Sequence, residues 1–222
     1  MSKIIIISKK KWDRTNYNFY KNSKEFILLD SINLKKINQI KPRIIFFIFW
    51  SKIIPEKIFL NFLCIQFHAS DLPKFKGGSP IQNQILSKIH KTKITAFQIN
   101  KKIDGGDICM KSSIFLNGKA ENIYKNIEKK ALEMILKLSK KKKILFTTQK
   151  GKSSFYYRRK PYQSNLSYVI NKKLNGIYDF IRMLDADNYP KAYYILGNKK
   201  IELSDVSLDN QSVKGKFLIK KK

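Results

Sequence analysis

Residues 64–86 constrain the fold of this chain more than any other stretch. Residues 64–68 (Cys-Ile-Gln-Phe-His) have the apolar pattern of a short buried strand, and His68, one of only two histidines, lies where that strand ends. In open α/β sheets, the carboxyl ends of the strands are where binding and catalytic groups lie. A titratable imidazole at this point is therefore a candidate catalytic group.

The segment after His68 has the residues of a loop followed by a helix. The loop contains Pro73 and the pair Gly77-Gly78, so its backbone can pass close to a ligand. The next residues predict the start of a helix with an N-cap and a capping box: Ser79, Pro80 and Gln82. Ile81, Ile85 and Ile89 recur every four residues and give this helix one apolar face.

Apolar strand-like segments alternate with helical segments over most of the chain. We predict strands at residues 3–8, 25–30, 43–50, 64–68, 93–99 and 107–116. We predict helices at residues 34–40, 54–62, 79–89 and 120–142. This alternation is typical of βαβ units, so the sequence predicts an α/β fold with a mainly parallel central sheet.

The character of the sequence changes near residue 150, where a Gly-Lys-Ser-Ser segment indicates a linker. A helix at residues 172–184 follows, and then a hairpin of residues 192–196 and 200–203 about Gly197-Asn198. We therefore expect a catalytic domain over residues 1–149 and a short α+β C-terminal extension over residues 150–222.

The net charge of +30 comes from 46 lysines and arginines against 16 acidic residues. Such an excess normally indicates nucleic-acid binding. However, richness in lysine, isoleucine and asparagine also follows from an AT-rich genome, and we favour a solvated lysine surface over a dedicated nucleic-acid face. In either case the charge should attract anionic substrates.

Several kinds of site and location are not indicated by the sequence. The longest apolar runs, residues 4–7 and 44–50, are too short to span a bilayer, and no secretory signal is visible. Cys64 and Cys109 lie in strand-like runs without metal-ligand spacing, which is typical of reduced, buried thiols in a cytoplasmic protein. The first half has no G-x-G-x-x-G motif for a dinucleotide. We therefore expect a cytoplasmic protein without a metal site or a membrane partner.

Two segments, in order, carry a resemblance to a known family. Residues 67–82 (Phe-His-Ala-Ser-Asp-Leu-Pro through Gly-Gly-Ser-Pro-Ile-Gln) and residues 103–108 (Ile-Asp-Gly-Gly-Asp-Ile) resemble the motif segments of the folate-dependent formyltransferases. Residues 158–164 and 178–192 also resemble the segment that follows the catalytic domain in sugar-nucleotide and methionyl-tRNA formyltransferases. The resemblance implies a Rossmann-like catalytic domain and 10-formyltetrahydrofolate as co-substrate.

The resemblance also implies catalytic roles. Transfer of a formyl group to an amine needs a neutral amine, hydrogen-bond donors for the tetrahedral oxyanion and a path for protons. In this family a His, an Asp and an Asn do this work. By resemblance His68 is the base, proton relay or oxyanion donor, and Asp104 holds a positive imidazole or relays protons. Gln66 stands where the family has Asn, and its longer side chain displaces the amide group. Without the resemblance, Asp104-Gly105-Gly106 would indicate only a hairpin turn.

Further residues are expected, by resemblance, to bind the co-substrate and the acceptor. The cofactor-binding candidates are Leu72, Pro73, Gly77, Gly78 and Ile103. The substrate-binding candidates are Ser79, Pro80, Gln82, Asn83 and Arg158. The segment of Arg158 either clamps a nucleotide or is an amphipathic linker, and the sequence favours neither.

The acceptor expected first is the amine of a nucleotide-linked amino sugar. The short tail and the likeness to the sugar-modifying branch favour it, whereas the net charge favours initiator methionyl-tRNA. A non-catalytic folate- or RNA-binding protein is a third alternative, suggested by Gln66. A homodimer is left open.

Overall fold

The computed structural model describes residues 2–187 and 189–221, which form two compact units. The first unit contains residues 2–77, 92–114 and 125–155, and the second contains residues 78–91, 115–124 and the described residues of 156–221. The predicted domain boundary at residue 150 stays a prediction. No helix of the described part is both long enough and apolar enough to span a bilayer.

The strands, in chain order, are β1 (Ile4–Ile7), β2 (Phe26–Leu29), β3 (Ile44–Phe47), β4 (Cys64–His68), β5 (Lys76–Gly77), β6 (Lys91–Gln98), β7 (Ile108–Phe115), β8 (Phe155–Tyr156), β9 (Ala192–Leu196), β10 (Lys199–Leu208) and β11 (Val213–Lys221). The α-helices are α1 (Asn18–Lys21), α2 (Leu34–Ile40), α3 (Glu56–Phe59), α4 (Pro80–Leu86), α5 (Ala120–Ser139) and α6 (Leu174–Arg182). Short 3-10 turns occur at Arg14–Tyr17, Pro161–Ser164 and Leu166–Tyr168.

The main sheet has six strands in the order β2-β1-β3-β4-β6-β7. The pairs β2-β1, β1-β3 and β3-β4 are parallel, and β6 runs antiparallel to β4. Parallel strands need crossover connections, and helices or helical turns supply them here. The predicted α/β class and mainly parallel sheet are confirmed.

Apolar side chains cover both faces of this sheet. Alternate residues of β1 and β3, such as Ile5 and Phe47, form one core cluster with Ile37 of α2 and Ile58 of α3. The intervening residues of both strands are equally buried. This burial on both sides explains why β1 and β3 are continuous apolar runs rather than alternating ones.

Local signals fix the ends of α2 where the sequence predicts them. The side chain of Asn33 accepts a hydrogen bond from the amide of Lys36 at 2.9 Å and so caps the first turn. Lys41 adopts a left-handed conformation (φ 49°) and ends the helix. Ile37 is the buried residue of this helix.

The loop after β1 is anchored by a carboxylate from α5. Glu128 is fully buried and accepts the backbone amides of Trp12 at 2.9 Å and Asp13 at 2.8 Å, and the hydroxyl of Tyr17 at 3.0 Å. A buried carboxylate with several donors is satisfied, whereas the same donors without it would be stranded. The loop is therefore held in place from the helix.

The second unit contains a three-stranded antiparallel sheet in the order β11-β10-β9. The predicted hairpin is confirmed, because β9 and β10 pair across Gly197, which has φ 55°. The prediction missed β11. Its sequence, Val-Lys-Gly-Lys-Phe-Leu-Ile-Lys-Lys, has little of the alternation of a half-buried strand, and most of its residues are exposed.

Candidate active site

His68 is the last residue of β4, between β3 and β6 in the first unit. It is 7% exposed, and its Nε2 atom lies 2.7 Å from the carbonyl oxygen of Phe75. A carbonyl oxygen can only accept a hydrogen bond, so Nε2 carries a hydrogen in this arrangement. The contact leaves Nδ1 as the nitrogen that faces the second group of the site.

That second group is Asp104, which lies in the loop between β6 and β7 and is 8% exposed. Its Oδ2 atom is 3.5 Å from Nδ1 of His68, an ion-pair distance that is longer than a strong hydrogen bond. The same Oδ2 accepts the backbone amide of Gly77 at 2.8 Å. The structure therefore brings together two catalytic candidates, His68 and Asp104, and one predicted cofactor-binding residue, Gly77.

The His68 ring has a hydrogen-bond acceptor beside each of its nitrogens. Nε2 faces a carbonyl oxygen and Nδ1 faces a carboxylate, so both nitrogens face acceptors. An imidazolium has a hydrogen on each nitrogen and can satisfy both acceptors, whereas a neutral ring can satisfy only one. The pair can thus deliver a proton or a positive charge while Asp104 compensates that charge.

The loop between β4 and β5 is held by its own hydrogen bonds. The hydroxyl of Ser70 donates to the carbonyl of Lys74 at 2.6 Å, and the hydroxyl of Thr95 on β6 donates to the carbonyl of Ser70 at 2.7 Å. The side chain of Leu72 is fully buried. The hydrogen bonds of Ser70 and Thr95 thus fix the backbone that borders the site.

Ile103 directly precedes the buried Asp104 but is itself exposed to solvent. It is 63% exposed, although it is a large apolar side chain. Single exposed apolar side chains are common on protein surfaces. The contact of Ile103 with a co-substrate ring stays a prediction.

Gln66 and His68 are two residues apart on β4 and therefore face the same side of the sheet. Gln66 is half-buried, and its Nε2 atom donates a long hydrogen bond of 3.4 Å to the carbonyl of Trp50. One amide hydrogen and the amide oxygen are not used in that bond. The catalytic role of Gln66 stays a prediction.

The predicted acceptor residues lie in the second unit, where several have structural partners. Gln82 is 0% exposed, and its Nε2 atom donates to the Tyr124 hydroxyl and to the carbonyl of Met183, both at 3.0 Å. Asn83 donates to the carbonyl of Gly78 at 3.0 Å. Arg158 is exposed and has no carboxylate partner in the described part of the chain. Their roles in substrate binding stay predictions.

The predicted capping box at the start of α4 is wrong, although Pro80 does occupy the first turn. Ser79 has a left-handed backbone (φ 50°) and makes no side-chain cap; its hydroxyl oxygen instead accepts the amide of Arg159 at 3.1 Å. Ile89 lies beyond the helix. A partner 80 residues away outcompetes the local cap, and sequence spacing carries no signal for it.

Contacts within the protein also explain why residue 78 is a glycine. A Cβ atom at Gly78 would lie 2.4 Å from the backbone of Arg158. The amide of Gly78 donates to the carbonyl of Tyr156 at 2.8 Å. Close approach of another chain segment therefore requires this glycine, and no ligand needs to be invoked for it.

Three groups of the site have no signature in the sequence. The carbonyl of Phe75 holds His68, the side chain of Ser154 accepts the amide of Phe75 at 2.9 Å, and Gln149 holds the Asp104 loop. Backbone carbonyls are common to all residues, so their use is not encoded by residue type. Only the three-dimensional structure could find them.

The described residues contain no group of three or more His, Cys, Asp or Glu side chains that could hold a metal ion. Cys64 is buried and Cys109 is half-buried, and neither forms a disulfide. Burial raises the pKa of both thiols to about 12. Both cysteines are thus reduced and poorly ionised at neutral pH.

Two family models match this chain. The model described as "Formyl transferase" matches residues 7–138, which is more than half of the chain. The chain belongs to the formyl transferase family. The model described as "Methionyl-tRNA formyltransferase, C-terminal domain" matches residues 161–220.

Individual relatives agree with this membership. A solved structure of a methionyl-tRNA formyltransferase from Clostridium thermocellum is 36% identical, covers 100% of both chains and has a TM-score of 0.92. The bifunctional polymyxin resistance protein ArnA of Wigglesworthia glossinidia brevipalpis is 32% identical over 84% of this chain and 30% of that protein. A methionyl-tRNA formyltransferase from Wolbachia pipientis is 27% identical over 82% of this chain and 60% of that protein.

The resemblance inferred from residues 67–82 and 103–108 is confirmed, and with it the Rossmann-like formyltransferase fold. The chain spans less than two thirds of the length of both curated relatives. His68 and Asp104, the catalytic candidates expected from the resemblance, lie side by side in this structure, and their roles stay predictions.

Proposed function

We propose that this protein transfers the formyl group of 10-formyltetrahydrofolate to a primary amine. The observation that carries the proposal is the buried pair of His68 and Asp104, 3.5 Å apart at the carboxyl end of β4, in a member of the formyl transferase family. The co-substrate would supply an activated formyl group. The chain supplies the charges and the protons.

His68 is the proton carrier of this proposal. As an imidazolium it can donate a hydrogen bond to the oxygen on which negative charge develops, and it can give its proton to the nitrogen that departs when the C–N bond of the co-substrate breaks. The neutral ring can then accept the proton that the attacking amine loses as the new C–N bond forms. Because Nε2 donates to the Phe75 carbonyl, one ring contact must be exchanged for a substrate contact during transfer. Asp104 orients the ring and can compensate its charge when the ring is protonated, and the Gln66 amide is a second donor on the same side of the sheet.

The residues around the pair fit a folate co-substrate. Ile103 exposes an apolar side chain directly before Asp104, which suits a planar heterocyclic ring. The backbone of residues 70–77 is fixed by hydrogen bonds, among them those from the Leu72 amide to Thr95 and from the Gly77 amide to Asp104, and can border such a ring. Leu72, Pro73 and Gly77 belong to this segment, and we retain them as co-substrate residues.

For the acceptor we favour methionyl-tRNA. The net charge of +30 suits a polyanion, residues 161–220 match the C-terminal domain model named for methionyl-tRNA formyltransferase, and the Clostridium thermocellum relative carries that name. A nucleotide-linked amino sugar, the acceptor expected first from the sequence, is the second candidate. An exposed Arg158 without a carboxylate partner suits the phosphate groups of either acceptor.

The test is release of tetrahydrofolate from 10-formyltetrahydrofolate in the presence of separate acceptors. Charged initiator tRNA is compared with 4-amino- and 3-amino-deoxysugar nucleotides, and His68→Ala is the control. Turnover on one acceptor that is lost in His68→Ala supports the proposal. No turnover on any acceptor, with folate binding intact, contradicts it and supports the non-catalytic binding protein.

Salt dependence provides a second discriminator between the acceptors. Binding of tRNA through many lysines should weaken steeply as salt increases, with a slope set by the number of phosphates contacted. A sugar nucleotide has few phosphates, so its KM should change much less. A cytoplasmic location and a homodimer stay predictions.

A further inference from the structure

The side chain of Gln149 holds the loop that carries Asp104. Its Nε2 atom donates to the carbonyl oxygens of Asp104 and of Gly106, both at 2.8 Å. A side-chain amide has two N–H hydrogens, so both are used on this one loop. In the described part of the chain the side chain of Gln149 has no hydrogen bond to His68 or to the Asp104 carboxylate, and its bonds reach only the backbone of the Asp104 loop.

The orientation of this amide is fixed by the two carbonyls. The Oε1 atom of Gln149 is buried and has no hydrogen-bond partner among the described residues. If the amide were reversed, Oε1 would face two carbonyl oxygens at hydrogen-bond distance, and acceptors repel one another. The side chain therefore gives up one hydrogen bond to hold the loop, a cost that a merely space-filling residue would not carry.

The loop needs such support because Asp104 has an unfavourable backbone conformation. Its φ of 47° lies in the left-handed region, where a residue other than glycine costs about 1–3 kcal/mol. That conformation directs the carboxylate to His68 and to the amide of Gly77. Without an external hold, relaxation of the backbone would turn the carboxylate away.

Hydrogen bonds fix the backbone segment that carries Gln149. Two residues earlier, Thr147 and Ile108 exchange hydrogen bonds of 2.9 and 2.8 Å, which fix the segment beside β7. Five residues later, the side-chain oxygen of Ser154 accepts the amide of Phe75, and the carbonyl oxygen of Phe75 in turn accepts the hydrogen bond from His68. One segment, residues 147–154, therefore supports both members of the pair.

We propose that Gln149 is a positioning residue for formyl transfer, which acts by holding the Asp104 loop so that the carboxylate faces His68. The inference rests on the proposed function. It adds a residue that neither the motifs nor the composition indicated.

The test compares Gln149→Ala and Gln149→Glu with the wild-type protein. Glu keeps the size of the side chain but replaces the two donor hydrogens by an acceptor. We expect kcat to fall about 10- to 100-fold in both variants, the range for misplacement of a catalytic group by about 1 Å, with little change in KM. Gln39→Ala, at an exposed position on α2, is the matched control and should not change kcat.

A double-mutant cycle with Asp104→Asn separates positioning from general structural support. If Gln149 acts through Asp104, the loss in the double variant should be no greater than that in Asp104→Asn alone. Independent losses that multiply would overturn the inference, and so would an unchanged kcat. If Gln149→Ala does not fold, the cycle with Gln149→Glu carries the test.

Failure of this inference is distinguishable from failure of the proposed function. If the wild-type protein has no turnover on any acceptor, the proposed function fails. If the wild-type protein turns over and the Gln149 variants match it, only the positioning role fails.

Discussion

Replacement of Gly106 by alanine tests how rigidly the Asp104 loop is held. A Cβ atom at this position would lie 1.6 Å from the carbonyl oxygen of Gln98 and 2.8 Å from its carbonyl carbon. Gln98 is on β6 and pairs with Ile65 of β4, so its backbone cannot move without disrupting the sheet. The loop must therefore move instead.

The size of the effect follows from these distances. A carbon and an oxygen in ordinary contact are about 3.3 Å apart, so the loop would have to move by about 1.7 Å. That displacement breaks the hydrogen bonds of Gln149 to the loop, and each stranded buried group costs about 1–3 kcal/mol. We expect the free energy of unfolding to fall by about 3 kcal/mol and the melting temperature by about 6–12 °C.

Activity should fall together with stability in Gly106→Ala, because the same movement carries the Asp104 carboxylate away from His68. A loss of about 100-fold in kcat is expected, measured as tetrahydrofolate release, with thermal unfolding recorded on the same samples. Gly118→Ala is the control. Its Cβ meets nothing within 4 Å and its φ is 75°, so only conformational strain of about 1 kcal/mol should appear. Wild-type stability and kcat in Gly106→Ala would refute the reasoning.

Three further predictions concern other parts of the chain. Arg158→Ala should raise KM for the acceptor about tenfold and leave kcat unchanged, because one charge-assisted hydrogen bond to the acceptor is lost. An equal effect in the exposed control Arg14→Ala would contradict a specific contact. Glu128→Ala should lower the free energy of unfolding by about 2–4 kcal/mol in a denaturant titration, because it strands two backbone amides and the Tyr17 hydroxyl; an unchanged midpoint would refute the anchoring role. Burial raises the pKa of Cys64 to about 12, so little thiolate exists at pH 8. A disulfide reagent should therefore label Cys64 only after unfolding, and immediate labelling of the native protein would contradict this.

The sequence predicts the sheet well because its signals are local. The apolar runs of β1 and β3 depend on neighbouring residues only, and the structure has β1, β3 and the helix α2 where they are expected. The edge strand β11 was missed because an exposed strand carries no clear burial pattern. Local rules also failed at Ser79, whose hydroxyl bonds to a distant backbone amide.

Part of the candidate site could likewise be predicted from the sequence and part could not. His68 and Asp104 could be found from motifs, because residue type and order identify them. The geometry that makes them a pair depends on the carbonyl of Phe75, the left-handed backbone of Asp104 and the amide of Gln149. These are long-range or backbone contacts, and no spacing rule encodes them.

The measurement that tests the account most directly is the rate of formyl transfer from 10-formyltetrahydrofolate by the wild-type protein and by His68→Asn, under single-turnover conditions with the preferred acceptor. The account predicts that the wild-type protein transfers the formyl group and that His68→Asn is slower by about 10²–10⁴-fold, the contribution of a positioned proton carrier. Equal rates in the two proteins would contradict it.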